Sequence, residues 1–365
     1  MDNIIRLGDY ITEICEKTTV NNQHMVLTSS QEGIVSQDDY FNKQVASKDN
    51  TGYKVIRRGQ FTYRAMSDTG RFYINRLCDY DTGIVSPAYP VFELKKNEDI
   101  LPDYLQEYFH SEQFQNSIAL SSTGSTRVSL KLAKIADLRI AVPSISDQRH
   151  MIIAIQHVSD LISAQNSALC KLDELVKSRF IELFGDPETN PKRWTRQRLD
   201  QICENLDSRR VPITSTDRKA GNYPYYGASG IVDYVEGYIF DEDILLISED
   251  GANLVMRSTP IAFSVSGKVW VNNHAHVVRF ETKATQKYIE ICFELTDISG
   301  SITGTAQPKL NQAKLNAMMF CVPPIELQEQ FATFVEQVDK SKLAVKQSLE
   351  KLETLKKSLM QQYFG

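Results

Sequence analysis

Basic side chains alternate with aromatic and amide side chains in two separate stretches of this 365-residue chain. Arginine and lysine bind phosphate oxygens, arginine binds guanine through two hydrogen bonds, and asparagine or glutamine binds adenine in the same way. The pattern is therefore typical of a surface that contacts a nucleic acid. A solvated surface without a ligand is the competing interpretation, because runs of charges and tyrosines are common on protein exteriors and several of these tyrosines also suit a core.

The candidate nucleic-acid contacts form two groups, one in each half of the chain. The first group is Tyr53, Arg57, Arg58, Arg64, Arg71 and Arg76. The second group is Arg209, Arg210, Lys219, Tyr226, Ser229, Asn253, Arg257, Lys268, Asn272 and Asn273. Two related Thr-Gly loops, at 122–127 and 302–309, add Arg127 to the first group and Gln307 and Lys309 to the second. Glycine permits a close backbone approach and hydroxyls suit phosphate contacts, although a helix-capping turn is an equal alternative for both loops.

The sequence contains no pattern that predicts catalysis. A phosphate-binding loop of the form G-x-x-x-x-G-K-S/T is absent. The segment His274-Ala275-His276 offers two metal ligands but no third stands out, and the acidic runs 241–243 and 249–251 are better explained as turns. We therefore expect a non-catalytic chain with no metal site and no bound cofactor.

Composition narrows the class of protein further. The net charge of −5 argues against a freely cationic DNA binder, although local basic faces or a basic partner remain compatible with it. No stretch approaches the roughly 20 apolar residues that a membrane span needs, and the first residues do not resemble a signal peptide. The six cysteines lack metal or disulfide spacing, which favours free thiols. The expected location is cytoplasmic.

A gapless internal repeat organises the chain. Residues 123–185 align with 303–365 at a constant offset of 180, and 19 of the 63 aligned positions are identical. The segments before each copy match only at other offsets, so one half of each repeat has a fixed length while the other varies. Two copies predict a pseudo-two-fold molecule.

Each repeat ends in a helix with apolar residues every seven positions. The first helix carries the seam Ile155, Ile162, Leu169, Val176 and Leu183, and the second carries Phe331, Val338, Val345, Leu352 and Leu359. The companion seams are interrupted by Gln165 and Arg179 in one helix and by Lys342 and Lys356 in the other. An antiparallel arrangement pairs the two complete seams, Ile155 with Leu359 through Leu183 with Phe331. We predict an intramolecular antiparallel coiled coil of about 35 residues per helix, roughly 50 Å long. The alternative is that each helix packs on its own domain.

The remaining segments predict two mixed domains of the α+β class. Strand-like alternation occurs at 53–57, 60–64 and 89–95, followed by one helix after Pro102 that continues through Phe114. Strands near 238–248, 260–265 and 275–281 and a helix at 286–295 repeat this plan. The predicted boundaries are a first domain at 1–145, a central helix at 146–185, a second domain at 186–323 and a C-terminal helix at 324–365.

With these features assembled, the whole chain resembles the specificity subunit of type I restriction-modification systems. The resemblance depends on the paired Thr-Gly segments, the Val-Pro-x-Ile-x-x-Gln runs at 142–148 and 322–328, and the heptad helices that end in Phe-Gly. It implies two target recognition domains that each read half of a bipartite, asymmetric DNA site, with the coiled coil setting the spacer. It also implies two partner modification subunits that bind S-adenosylmethionine, with restriction subunits as further partners. A coiled-coil scaffold whose domains bind proteins is the alternative.

Overall fold

The computed structural model describes residues 3–40, 49–119, 128–304 and 307–365. The chain divides into two compact units. Unit 1 consists of residues 1–164 and 348–365, and unit 2 consists of residues 165–347. Each unit is therefore built from one varied domain and one part of each long helix.

Unit 1 contains twelve described strands and four short helices, followed by the first part of a long one. The strands are β1 (Asn3–Arg6), β2 (Ile11–Glu13), β3 (Leu27–Ser30), β4 (Gly33–Ser36), β5 (Lys54–Arg57), β6 (Phe61–Thr62), β7 (Met66–Ser67), β8 (Asn75–Arg76), β9 (Thr82–Val85), β10 (Val91–Leu94), β11 (Val128–Ser129) and β12 (Arg139–Val142). The helices are α1 (Gln37–Tyr40), α2 (Pro102–His110), α3 (Glu112–Ala119), α4 (Leu132–Ala136) and α5 (Ile145–Phe184). Strands β2, β10, β6 and β8 form a four-stranded sheet in that order, and β1–β12, β7–β11, β3–β4 and β5–β9 pair separately.

The core of unit 1 is aromatic. Phe61 and Phe92 face each other across the β6–β10 pair with ring centroids 5.3 Å apart, and Phe109 of α2 meets both rings edge-on. The single helix predicted after Pro102 is wrong, because it divides at Ser111. The Ser111 hydroxyl accepts the amide of Phe114 at 3.2 Å, which is the side-chain cap that starts α3.

Unit 2 contains ten described strands and four short helices, followed by the second long helix. The strands are β13 (Thr195–Arg198), β14 (Cys203–Asn205), β15 (Ala220–Gly227), β16 (Gly230–Val235), β17 (Phe240–Asp241), β18 (Ile244–Ser248), β19 (Ala262–Val265), β20 (Lys268–Val271), β21 (Ala275–Phe280) and β22 (Met319–Val322). The helices are α6 (Leu199–Ile202), α7 (Asn253–Met256), α8 (Lys283–Leu295), α9 (Gln312–Asn316) and α10 (Ile325–Phe364). Two four-stranded sheets, β14-β21-β18-β19 and β16-β15-β20-β17, carry most of this unit, and β13 pairs with β22.

The long helices α5 and α10 begin and end at positions 180 residues apart, as the repeat predicts. In unit 1, Ile155 near the start of α5 shares a core with Met360 and Phe364 at the end of α10. In unit 2, Phe180 near the end of α5 meets Phe331 at the start of α10, with ring centroids 5.5 Å apart. Opposite ends of the helices therefore pack together, and the predicted antiparallel coiled coil is confirmed. Each helix of 40 residues is about 60 Å long.

The predicted seam positions point into the helix pair to different degrees. Buried members are Ile155, Val176, Phe331 and Val338, and half-buried members are Ile162, Leu169, Leu183, Val345, Leu352 and Leu359. The polar residues that interrupt the companion seams are also half-buried, and the charged ends of two of them contact other side chains. The Lys342 ammonium lies 2.6 Å from a carboxylate oxygen of Asp173, and the Arg179 guanidinium lies over the ring of Phe334. Aliphatic stems inside and charged ends outside are typical of such positions.

The repeated Pro-x-Ile-x-x-Gln segment fixes the start of each long helix. The buried Gln148 amide donates to the carbonyls of Pro143 and Asp99 at 2.9 and 2.6 Å, and the buried Gln328 amide donates to Pro323 at 2.8 Å. The two identical glutamines thus have a structural function. None of the described helices is both long enough and apolar enough to cross a bilayer.

Candidate nucleic-acid interface

Four loops of unit 2 come together beside the ends of its two large sheets. They are the turn between β15 and β16, the segment after β18, the β20–β21 connection and the loop 303–309. Three backbone hydrogen bonds join them: the amide of Asn272 donates to the carbonyl of Tyr226 at 3.0 Å, that of Glu249 to the carbonyl of His274 at 2.9 Å, and that of Gly251 to the carbonyl of Pro308 at 3.1 Å. The loops therefore form one continuous surface, which we call the loop surface.

Five predicted contacts lie on the loop surface. Ser229, Asn273, Gln307 and Lys309 are exposed there, whereas Asn272 is buried and its carbonyl oxygen accepts the His274 amide at 2.8 Å. The exposed members combine a hydroxyl, two amides and one ammonium group. Such a set offers both donors and acceptors, which is what the edges of base pairs require.

Gly304 allows the loop 303–309 to close on itself. Thr303 and Lys309 exchange two backbone hydrogen bonds of 2.8 Å, and Gly304 lies between them with a φ of 82°. A Cβ at this position would lie 2.5 Å from the carbonyl oxygen of Gln307. Residues 305 and 306 lie outside the described part of the chain. The close backbone approach that the sequence predicted at this glycine is therefore an approach to another residue of the same loop.

A buried ionic network lies directly behind the loop surface. Arg210 is 2.6 Å from one Glu249 oxygen and donates to the carbonyl of Ala275 at 2.8 Å, while Lys309 lies 3.1 Å from the other Glu249 oxygen. Asp207 accepts from His276 at 2.6 Å and from the Val277 amide at 2.8 Å. These contacts connect the loop 303–309 to β21 and position Lys309.

The network keeps its two carboxylates charged. Burial alone would raise the pKa of Asp207, but the hydrogen bond and charge of His276 outweigh it and lower the pKa. Burial opposes ionisation of Glu249 in the same way, and the hydrogen bonds from Arg210 and Lys309 lower its pKa. The charged forms are therefore balanced by cations within the fold.

This network is also the one described cluster whose donor types and spacing suit a metal ion. Donor atoms of Asp207, Glu249 and His276 all lie within 4.8 Å of one another. The second ring nitrogen of His276 contacts the Leu310 carbonyl at 2.7 Å, so both nitrogens already face oxygen acceptors. Arg210 supplies the positive charge that a metal would bring. The arrangement suits an internal ion-pair network better than a metal site. His274, whose neighbour Asp250 lies 2.9 Å away, is exposed and separate from it.

Several other predicted contacts of unit 2 are used inside the fold. The Arg257 side chain donates to the carbonyls of Phe293 and Thr296 at 2.8 and 2.7 Å. Its backbone is left-handed, with a φ of 51°, and ends α7. Asn253 accepts the amide of Thr259 at 3.0 Å, and Arg209 pairs with Glu242 at 2.7 Å. The side chains of Arg210, Arg257 and Asn253 therefore serve structure, which the sequence pattern did not distinguish from ligand binding.

A second polar and aromatic area in unit 2 contains Lys268. Its ammonium lies 4.9 Å from the ring centre of Tyr238, which packs on Tyr223. Lys219 is exposed at the start of β15, and Tyr226 is half-buried against Phe263. Cations near aromatic rings are common on nucleic-acid-binding surfaces and on ordinary ones.

In unit 1, most of the predicted arginines are paired with carboxylates. Arg57 lies 2.6 Å from Glu16, Arg58 lies 2.9 Å from Asp81, Arg71 lies 2.6 Å from Glu112, and Arg76 pairs closely with Asp103. Tyr53 is half-buried. Arg127 lies outside the described residues.

Arg64 differs from the other candidates of unit 1. It is exposed, forms no ion pair and donates no hydrogen bond to any other described residue. It also lines two adjacent clefts of about 270 and 250 Å³. Of the hydroxyl and amide groups that line these clefts, the sequence indicated Tyr53 and Tyr73 but not the others, because they come from segments far apart in the chain. The lining groups include Ser29, Ser30, Gln31, Thr69 and Tyr73 in one cleft and Gln37, Tyr53, Ser86 and Tyr89 in the other.

The fold defines a class of protein in which two mixed α+β domains are joined by an antiparallel helix pair. Residues 191–355 match the family described as type I restriction modification DNA specificity domain. This match covers the second domain and most of α10, and it agrees with the resemblance of the sequence to the specificity subunits of type I restriction-modification systems.

Curated relatives support the same assignment. The chain is 33% identical over 138 residues to a type I restriction enzyme specificity subunit of Haemophilus influenzae, an alignment that covers 38% of this chain and 35% of the relative. It is 22% identical over 273 residues to the MjaIX specificity subunit of Methanocaldococcus jannaschii, with 66% of this chain and 62% of the relative covered. The matches thus span less than two thirds of each relative.

Solved structures agree in fold. The specificity subunit of a type I system from M. genitalium has a TM-score of 0.58 at 13% identity and covers 100% of this chain and 96% of its own. A chain from a study of assembly and conformational transition in a type I system has a TM-score of 0.57 at 16% identity, with 99% and 97% covered. At such low identity the likeness establishes the fold alone.

Proposed function

We propose that this chain is the non-catalytic DNA sequence-recognition subunit of a type I restriction-modification complex. Each unit reads one half of a bipartite, asymmetric site, and the coiled coil sets the spacer between the halves. The observation that carries the proposal is the loop surface of unit 2, where exposed hydroxyl, amide and ammonium groups from three of its four loops converge beside the sheet ends within the matched DNA specificity domain. Two modification subunits supply S-adenosylmethionine chemistry, and restriction subunits join them. DNA as the ligand implies a cytoplasmic location.

The net charge of −5 is compatible with this function. Most arginines near the proposed surfaces are neutralised by carboxylates, so non-specific attraction to phosphates is small in the isolated chain. Partner subunits then supply the larger part of the phosphate affinity.

Co-expression with the modification subunit of the same system tests the proposal. We expect the complex to methylate one bipartite motif and to retard a DNA fragment that contains it, because the chain supplies base recognition. Sequencing of methylated genomic DNA and a mobility-shift assay measure the two properties. A fragment with one scrambled half-site is the control. Equal binding to every fragment, or binding to none, would instead support a scaffold that holds protein ligands.

A repeated exposed face supports the docking of two copies of one partner. Leu175 and Leu355 occupy equivalent positions of the repeat, and each is 46% exposed. The nearby identical pairs Lys171/Lys351, Lys177/Lys357 and Ser178/Ser358 are exposed as well. Internal packing does not require identity at exposed positions, whereas binding the same partner twice does.

Substitution of these leucines is expected to remove modification subunits one at a time. Leu175→Asp and Leu355→Asp each place a charge in one proposed contact, so each variant should retain one subunit and the double variant none. Native mass spectrometry of the co-expressed complex measures the stoichiometry. Leu161→Asp is the matched control, since Leu161 is 51% exposed on α5 but aligns with Ser341. Two subunits on the double variant would contradict this docking surface.

A further inference from the structure

Arg64 is the one arginine of the first candidate group whose donors are all free among the described residues. Its four described companions in the group, Arg57, Arg58, Arg71 and Arg76, each point to a carboxylate. A guanidinium has five N–H donors in a fixed plane, and an ion pair occupies two or more of the directions that a ligand would need. Among the described arginines of this group, Arg64 alone therefore presents the complete set to a ligand.

The backbone around Arg64 is held firmly while its side chain points outward. Tyr63 is fully buried, and its hydroxyl donates to the Leu130 carbonyl at 3.1 Å. Burial raises the pKa of Tyr63, so this hydroxyl stays protonated and keeps donating. On the other side, the Leu130 amide donates to Ala65 at 2.9 Å. Arg64 lies between these two anchored residues, in the connection from β6 to β7, and its side chain is exposed.

The groups around Arg64 suit base edges better than phosphates. The two clefts that Arg64 lines carry serine, threonine and tyrosine hydroxyls and the amides of Gln31 and Gln37, and the first cleft also carries the Asp68 carboxylate and the ion-paired Arg71. The hydroxyls and amides both donate and accept hydrogen bonds, whereas phosphate oxygens only accept. The major-groove edges of base pairs present both kinds of group.

We infer that Arg64 reads a guanine in the half-site recognised by unit 1. The inference rests on the proposed function and adds to it a residue and a base. A free guanidinium on this anchored connection between β6 and β7 can donate two parallel hydrogen bonds to N7 and O6 of guanine, the commonest specific arginine contact in the major groove. Lysine keeps the charge but not the planar pair of donors.

The Arg64→Lys variant tests this inference in the complete complex with modification subunits. We expect discrimination against other bases to fall about tenfold or more at one guanine of one half-site, while the other half-site stays unchanged. The dependence of DNA affinity on salt should stay the same, because the charge is retained. Sequencing of the methylated motif and binding titrations at several salt concentrations measure the two effects.

Arg139→Lys is the matched control. Arg139 lies on β12 of the same unit, is exposed and forms no ion pair with a described residue, but it lines neither cleft. Its variant should recognise the wild-type motif.

Two results would overturn the assignment of Arg64. One is an unchanged motif in Arg64→Ala together with a salt dependence reduced by about one phosphate contact, which marks a phosphate ligand. The other is an unchanged motif with unchanged affinity, which marks a bystander. Wild-type complex that binds all sequences equally would overturn the proposed function itself, so the two failures are distinguishable. Arg64 is exposed, and equal urea midpoints for wild type and variant verify folding.

Discussion

Replacement of Arg210 by alanine is expected to lower the free energy of unfolding of unit 2 by about 3–5 kcal/mol. Its side chain is only 14% exposed and lies 2.6 Å from Glu249, which is itself 12% exposed. Alanine leaves that carboxylate with Lys309 and with the more distant His276, 3.7 Å away, and it also leaves the Ala275 carbonyl without its 2.8 Å donor. A buried charge that loses its partner costs much more than a surface pair contributes.

Tryptophan fluorescence during urea unfolding measures this loss in unit 2 alone. The chain has two tryptophans, Trp194 and Trp270, and both belong to residues 165–347. The Trp270 indole donates to the Val211 carbonyl at 2.6 Å, directly after Arg210 in the chain. Arg209→Ala is the matched control, because Arg209 is 44% exposed and its pair with Glu242 contributes at most about 1 kcal/mol. Equal losses in the two variants would show that the network behind the loop surface is not structural.

The effect of Arg210→Ala also depends on pH in a defined direction. The folded-state pKa values of Asp207 and Glu249 lie below their ordinary values of about 4. Groups of this kind stabilise the fold above the unfolded pKa, and that contribution is lost as pH falls through the folded pKa. The difference between wild type and Arg210→Ala should therefore be largest above about pH 5 and shrink below pH 4.

The long helices were the part of the fold that the sequence predicted best. A heptad seam is visible in the sequence because it needs only apolar residues at every seventh position. The polar residues Gln165 and Lys342, which interrupt the companion seams, already favoured an antiparallel pairing of the two complete seams. The helix after Pro102 was harder, because helical spacing continues through Phe114 and the Ser111 cap depends on a single local hydrogen bond. Propensity does not predict such a break.

The candidate interface was predictable by region and much less by residue. The sequence indicated 226–229, 268–273 and 307–309, and the loop surface joins parts of all three. The sequence did not distinguish Arg210 and Arg257, whose side chains bond to other parts of unit 2, from Arg64, which has no described partner. That distinction depends on carboxylates and carbonyls that are distant in sequence, such as Glu112 for Arg71 and Phe293 for Arg257.

Lengthening both long helices by three heptads is expected to lengthen the DNA spacer by about one turn. If the coiled coil sets the spacer, 21 added residues in each helix extend it by about 32 Å at about 1.5 Å per residue. B-DNA presents the same face again after about 34–36 Å, or about 10 base pairs. A whole turn is needed because a shorter insertion would present a different face of the duplex to the second unit.

The insertions belong at the boundaries between the units, after Ala164 in α5 and after Gln347 in α10. Whole heptads continue the seams of Ile155 and Phe331, so the contacts described within each unit remain as they are. Sequencing of the methylated motif reads the new spacer directly. Both half-sites should keep their sequence, since no recognition residue changes.

Two controls separate a stiff spacer from a simple tether. The insertion in α5 alone leaves 21 residues without a partner and should abolish methylation. Glycine-serine segments of 21 residues in both helices keep the connection but not the stiffness, so a defined spacer should be lost. An unchanged spacer after the double heptad insertion would contradict the proposed role of the coiled coil, because helices that set a distance cannot be lengthened without changing it.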